Sequence, residues 1–499
     1  MHDLLPHISG QLSNVFGSIA YFMPEIYLSL LFIIVLVTDL IFGKNSTKLC
    51  RIVACAGLLL VMFKDLQQVA LILDGAHFIF SNMLLLSRSG IFFKLIIDLL
   101  SFVLLLYFTW DDKLKAHPKG LSDLYSIAIA SILGLHLMVM AVNLLSIYLA
   151  IEMVSIASYL MVAYRSESAF STEAGLKYVL FGAASSAIML YGISLLYGFS
   201  GSLDLVFQST ITQLSKVNPV SSSFAVVLVL IGVGFKLSFV PVHFWVPDVY
   251  QGAPTPVTAY LSTVPKIAAF ALLLNFLPPF VLGGHWKGFD IGIILAVAGI
   301  ITMIAGNFAA VMQTNVKRML AYSSIGHTGF ALMAVVILTL QGLSALTYYL
   351  AVYAIANIGA LVLATYFANE AGAEDVEGYK GLGLKYPIAS VCFVIILISL
   401  TGLPVTAGFT GKLFVFSAVY SVYQQSHSIW LMLLMVTGAL TTVVSLFYYI
   451  KIPLYLFLKR KEIGEIEHKK SHNLLILAVV ISFLLILLGI FPDIVLRYL

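Results

Sequence analysis

Glu152, Lys236, Lys266 and Lys412 each sit inside a long apolar run, a setting that neither a soluble core nor a lipid-facing helix tolerates cheaply. Lys236 lies between FAVVLVLIGVGF and LSFVPVHFW. On a spanning helix it falls near mid-depth, where a charge costs about 2.5–3.5 kcal/mol even on the lenient insertion scale. The chemistry open to such groups is proton handling. Burial penalises an ammonium, and a nearby carboxylate or water restores it, so a lysine is switched by moving its partner. Glu152, in LSIYLAIEMVSIASYL, is the only acid deep within the middle spans. It is expected to form an electrostatic couple with Lys236, the alternative being a neutral glutamate hydrogen-bonded across helices. Lys266, next to Pro265 in TPVTAYLSTVPKIAAFALLL, reads as a relay group, and so does Lys412.

Other ionisable residues divide between function and structure. Lys177 follows Glu173 by four residues, which suits an ordinary surface pair as well as a relay. His327 titrates near neutrality and could bridge two halves of the chain, or be a satisfied structural histidine; His243 is similar. Lys94 and Asp98, four apart, are expected to neutralise each other, and Glu25 and Asp39 to face interfaces towards the ends of the first span.

The elements that must position these groups are membrane helices. The chain is 61% hydrophobic and 10% charged, with mean hydropathy +1.03, against roughly a quarter charged for soluble domains. A span needs about 20 apolar residues. The sequence predicts an all-α polytopic protein with about 14 spans: 18–42, 50–72, 89–110, 123–142, 144–164, 172–198, 223–247, 255–277, 289–312, 318–338, 342–367, 387–420, 428–455 and 473–491. The second is the weakest, because Lys64 and Asp65 interrupt it. Runs such as SVCFVIILISL lack the alternation of a β-barrel.

Of the 27 Lys and Arg, sixteen between Lys44 and Lys470 fall in connections on one side, against Arg88, Lys216, Lys287 and Arg497 on the other. That bias places the basic loops in the cytoplasm and both termini outside. The first span reads as retained rather than cleaved, since MHDLLPH carries no Lys or Arg and no small-residue cleavage site follows. Cys50, Cys55 and Cys392 are too scattered for a zinc site or an iron–sulfur cluster, and no P-loop or haem motif occurs. No cofactor is expected in this chain, and net charge +4 reflects basic loops rather than nucleic-acid binding.

An internal repeat shows in the spacing. Glu152 precedes Lys236 by 84 residues, and His327 precedes Lys412 by 85. Pro241 interrupts one lysine-bearing helix; Pro404 and Gly408 interrupt the other. Each proline is expected to free the carbonyl four residues earlier, at Leu237 and Leu400, and so to admit water. Lys236 lies before its proline and Lys412 after, so the repeat is coarse.

The stretch GFKLSFVPVHFWVPDVYQGAPTPVTAYLSTVPKIAAF, from Gly234 to Phe270, resembles the antiporter-like subunits of respiratory complex I, the proton-pumping NADH:quinone oxidoreductase, and its N subunit most closely. PEIYLSLLFIIVLVTDL, TEAGLKYVLFGAASSAIMLYGISLLYG, NVKRMLAYSSIGHTGFAL and ISLTGLPVTAGFTGKLFVF extend the likeness over most of the chain. The resemblance implies an N-terminal three-helix segment (1–122), two inverted five-helix repeats (123–277 and 289–455), a C-terminal helix (473–491), and broken seventh and twelfth helices. It implies Glu152 as the acid of the fifth helix, Lys236 as its partner, Lys266 as central relay and Lys412 on the twelfth. The M subunits carry glutamate at that last position, and the L subunits a long lateral helix after the repeats, so Lys412 and the chain's stop at Leu499 favour N. Pro265 and the acidic loop 369–386 have no reading in these motifs.

The expected function is therefore proton translocation by a membrane-arm subunit in a bacterial inner membrane, as part of a translocase whose flavin, iron–sulfur clusters and quinone chemistry belong to other subunits. A subunit of a multi-subunit cation/proton antiporter and a purely structural membrane subunit are the rivals. Expected partners are the other membrane-arm subunits, lipid, protons and water.

Overall fold

The computed structural model describes residues 5–43, 46–72, 75–206, 208–282, 284–459 and 471–497. Lys44, Arg460, Lys461, Lys469 and Lys470, five of the sixteen residues assigned to the basic side, lie outside the described residues, as do the first four residues of MHDLLPH.

A helix over Leu5–Ile19 leads into α1 (Met23–Phe42), followed by α2 (Thr47–Leu71), α3 (Arg88–Tyr107), α4 (Ser122–Met140), α5 (Leu144–Val162) and α6 (Ala169–Ser200). Then come α7 (Pro219–Leu237), α8 (Trp245–Gly252), α9 (Thr255–Phe276), α10 (Ile291–Val311), α11 (Val316–Val336) and α12 (Leu340–Ala371). The chain closes with α13 (Pro387–Thr401), α14 (Ala407–Ser426), α15 (Ile429–Tyr449) and α16 (His472–Ile490). Among the described residues, 12 helices are long and apolar enough to cross a membrane. Two expected spans fall outside that set for physical reasons. The helix α2 runs 25 residues but carries Lys48, Arg51, Lys64 and Asp65, and the region 387–420 is two shorter helices rather than one. A short hairpin, β1 (His77–Ile79) with β2 (Leu84–Leu86), is the one departure from an all-helical chain among the described residues.

Local signals explain where the functional helices begin. Asn143 caps α5 in a reciprocal box with Ser146, Asn218 caps α7 with Pro219 at the first helical position, and Thr339 accepts from the Gly342 N–H at the head of α12.

Both expected interruptions are present, and the structure revises their detail. The helix α7 ends in left-handed Ser238, and residues 238–244, Pro241 included, separate it from α8. Two of its last carbonyls meet protein donors. Trp245 Nε1 donates to Phe235 O at 3.2 Å, and Thr328 Oγ1 to Leu237 O at 2.9 Å. In the second interruption Gly402, at φ +86°, stops α13 by bonding back to Ile398 and Ser399. Because α13 ends three residues before Pro404, the carbonyl with a new partner is that of Thr401, not Leu400. Gly408 is not in the break either. It lies inside α14, where a Cβ would collide with Ser399 O, so its role is close approach of the two half-helices.

Some of the basic connections lie close together. Lys113, Arg165 and Lys317 line a single cavity with Asp111 and Glu374, and Arg51 donates to Thr109 at 2.8 Å. The acidic loop ties this region together: Glu374 pairs with Lys113, Asn315 donates to Asp375 at 3.1 Å, and Glu370 accepts from the Ser471 N–H at 2.9 Å.

Candidate functional site: a row of buried lysines

Lys236, Lys266 and Lys412 are 3%, 2% and 8% exposed, and His327 is 9% exposed. The four come from α7, α9, α14 and α11. Around Lys266 the amine donates to Ser324 O at 3.1 Å, Ser324 Oγ at 2.7 Å and Thr328 Oγ1 at 3.0 Å. Every one of these partners is neutral. Thr328, by donating to Leu237 O, links Lys266 to the residue beside Lys236. Pro265 leaves α9 continuous, and in the turn before it the Ser262 carbonyl accepts the Tyr353 hydroxyl at 3.2 Å.

The string continues beyond Lys266. Tyr353 and Ser324 pair hydroxyl to hydroxyl at 2.7 Å, and the His327 ring lies 4.8 Å from the Tyr353 ring. His327 bonds Tyr349 through Nδ1 at 2.7 Å and Tyr449 through Nε2 at 3.2 Å. His327, Phe330, Tyr349, Thr442 and Lys412 then line one small cavity, of about one-water size. Lys412 Nζ donates to Thr401 O at 2.7 Å and reaches Thr442 Oγ1 at 3.5 Å, with its charge 5.6 Å from the Phe330 ring centre. Hydroxyls can both accept and donate; the bonds connect Lys266 to Ser324, Thr328 and Tyr353, and His327 to Tyr349 and Tyr449, with a ring contact between Tyr353 and His327 and no hydrogen bond to the Lys236 amine.

Lys236 differs. Its amine is buried without a hydrogen-bond partner, 5.8 Å from the Tyr178 ring centre, and Glu152 is the carboxylate that acts on it through space. Glu152 itself is half-buried and accepts from Ser186. The expected couple is thus not a direct ion pair. Lys177 is placed apart from the row, with a side chain 38% exposed, 2.8 Å from both Glu173 and Asp248. Arg318 completes that network at 2.6 Å from Asp248. The i,i+4 pair is present, together with a second partner on α8. His243 lies in the first interruption with Nδ1 unpartnered.

Sequence reasoning missed the hydroxyl partners, because Ser324, Thr328, Tyr353 and Tyr449 are ordinary residues for transmembrane helices. It also misjudged the N-terminal helices. Glu25, expected at an interface, is 0% exposed, and Lys94 bonds to Glu25 and Asp65 rather than to Asp98. A buried ammonium takes the carboxylates that face it from α1 and α2, while Asp98 is held by His136 of α4.

Twelve spanning helices among the described residues, with two interrupted helices each carrying or facing a buried lysine, define an antiporter-like membrane subunit. The family model for the membrane region of NADH:quinone oxidoreductase and Mrp antiporters matches residues 141–442, and the chain belongs to that family. Among its relatives, NADH-quinone oxidoreductase subunit N 2 of Chloroherpeton thalassium is 38% identical over 492 residues, covering 97% of this chain and 94% of the relative. Subunit N of Chlorobium chlorochromatii is 38% identical over 476 residues, covering 93% and 90%. A chain of respiratory complex I from Thermus thermophilus with bound aureothin superposes with a TM-score of 0.75 at 27% identity, covering 95% of this chain and 98% of that one.

Proposed function

We propose that this chain is the N-type subunit of a complex I membrane arm, in a bacterial inner membrane with its basic loops cytoplasmic, and that it carries protons along Lys236, Lys266, His327 and Lys412. The observation that carries this reading is the burial of three lysines and His327 in succession, with the Lys266 amine bonded to Ser324 and Thr328, Thr328 reaching the carbonyl next to Lys236, and His327 sharing a small cavity with Lys412. A change of charge arriving from a neighbouring subunit would act first on Glu152 and Lys236. Across about 7 Å at an effective dielectric of about 20, two unit charges interact by about 2.4 kcal/mol, more than a tenfold change in proton affinity. The neutral partners of Lys266 then receive or release a proton without moving a counter-charge. Redox chemistry stays in other subunits; Glu152 and Lys236 respond to it, and Lys177 belongs to the ion network that holds α8 against α6.

The test is purification of the tagged chain from its native membrane. Flavin, iron–sulfur clusters and NADH:quinone reductase activity should travel with it. Recovery of an intact assembly without flavin or iron–sulfur would place the chain in a cation/proton antiporter instead.

A further inference from the structure

A second buried group of charges lies away from the lysine row. Glu25 of α1, Asp65 of α2, Lys94 and Asp98 of α3, and His136 of α4 are all 0% exposed and converge between the first four helices. Lys94 Nζ sits 2.8 Å from Glu25 Oε1, 2.7 Å from Asp65 Oδ1 and 2.6 Å from Gln68 Oε1. His136 reaches Glu25 Oε1 at 3.2 Å through Nδ1 and Asp98 Oδ1 at 3.0 Å through Nε2. Neither side of this set is needed for the proton string described above.

Charge counting shows what the cluster lacks. Three carboxylates and one ammonium leave two negative charges in a site closed to water, and a buried uncompensated charge is strongly unfavourable. One proton on His136, which faces carboxylates through both ring nitrogens, removes one of them. A second positive charge is still required. The oxygens left over are Glu25 Oε2, Asp98 Oδ2 and both oxygens of Asp65, which have no hydrogen-bond partner; the close approach of Lys94 to Asp65 Oδ1 lacks hydrogen-bond geometry. Glu25 accepts from Lys94 and meets His136, and Asp98 meets His136. Asp65 is therefore the one carboxyl of the three with no hydrogen bond to either oxygen, held as an ion at close range by the Lys94 charge alone. A metal ion between Glu25 and Asp65 would have to displace the Lys94 ammonium that already sits there.

We propose that this cluster is a proton-binding site separate from the lysine row, which holds two protons at neutral pH, one on His136 and one on the carboxyl of Asp65. The set is linked to the row's helices, since Ser131 of α4 accepts the Tyr260 hydroxyl of α9 at 2.8 Å, six residues before Lys266. The cluster's proton count does not depend on whether the lysine row translocates protons.

The test is infrared spectroscopy of the purified, assembled complex at neutral pH, in the region of the C=O stretch of protonated carboxyl groups. The wild-type-minus-variant spectrum for Asp65→Asn should show one lost carboxyl band, and Asp65→Glu should restore a band at a displaced frequency. His136→Gln removes one of the two protons' carriers, so a second carboxyl must take it up and the band should grow about twofold. A spectrum unchanged by Asp65→Asn would overturn the proposal, and so would a band that His136→Gln leaves at wild-type intensity. Should one variant fail to assemble, the other still decides. Thermal stability of the wild-type complex that rises with added sodium, together with no band lost in Asp65→Asn, would show a bound cation in place of the second proton and would equally overturn it.

Discussion

At the first interrupted helix the lysine precedes the break and its amine has no hydrogen-bond partner; at the second the lysine follows the break and turns back to the Thr401 carbonyl at 2.7 Å. Both amines thus belong to the carbonyl end of the first half-helix, α7 or α13, where the helix dipole favours a positive charge. What differs is the anchor. Lys412 rests on a fixed neutral oxygen, whereas Lys236 depends on Glu152, which is itself held by Ser186 at the edge of the molecule. On the proposed reading, this asymmetry makes Lys236 the amine that responds to a change at Glu152 and Lys412 the amine held in place.

The largest expected effects come from breaking the responsive half. Lys236→Ala and Glu152→Ala should assemble and lose most proton pumping and quinone reductase activity, a fall of about a hundredfold or more in the proton-transfer step. Coupled turnover in proteoliposomes is the measurement, and full activity with either substitution would remove Glu152 and Lys236 from the path. Lys412→Arg keeps charge and length but cannot release a proton, so turnover should drop by more than about tenfold. Wild-type pumping with arginine there would mean that only a fixed charge is needed beside Thr401.

A smaller effect should follow from Thr328→Val, which removes the hydroxyl shared by Lys266 and Leu237 O. A buried carbonyl left without its donor costs about 1–3 kcal/mol. Faster amide exchange around residues 237–243, with assembly retained, is the expected result. Unchanged exchange would show that the first break does not rest on this bond.

These roles were legible in the sequence to different depths. Glu152, Lys236, Lys266 and Lys412 stood out because each is a lone charge in an apolar run, where desolvation alone flags it. The prolines located the breaks, but not which carbonyl opens: at the second break Gly402 ended α13 before Pro404 could act. The cluster of Glu25, Asp65, Lys94, Asp98 and His136 stayed hidden for the opposite reason. Glu25 reads as a helix end, Lys94 and Asp98 as i,i+4 neighbours, Asp65 as an interruption of a weak span, and His136 carries no signal of its own; only the convergence of four helices brings them together.

The least effect is expected at the acidic loop. Burial alone would raise Glu374, but the Lys113 hydrogen bond and the charges of Lys113, Lys317 and Arg165 hold it below its ordinary value of 4.5. Its stabilising contribution is therefore complete above that value and is lost as pH falls through the lower folded value. Its side chain is 45% exposed, so solvent screening keeps the contribution small. Glu374→Gln should flatten the acid limb of thermal stability against pH slightly and leave the neutral region alone; an unchanged acid limb would mean that the loop does not depend on this charge.

On the proposed reading protons pass through Lys266, the one lysine of the row with three hydrogen bonds, all to neutral oxygens. The direct measurement is the number of protons pumped per NADH oxidised by proteoliposomes of the assembled complex carrying Lys266→Arg, compared with wild type. A permanently charged guanidinium should lower that ratio or stall turnover altogether. Wild-type stoichiometry at wild-type rate would contradict the account.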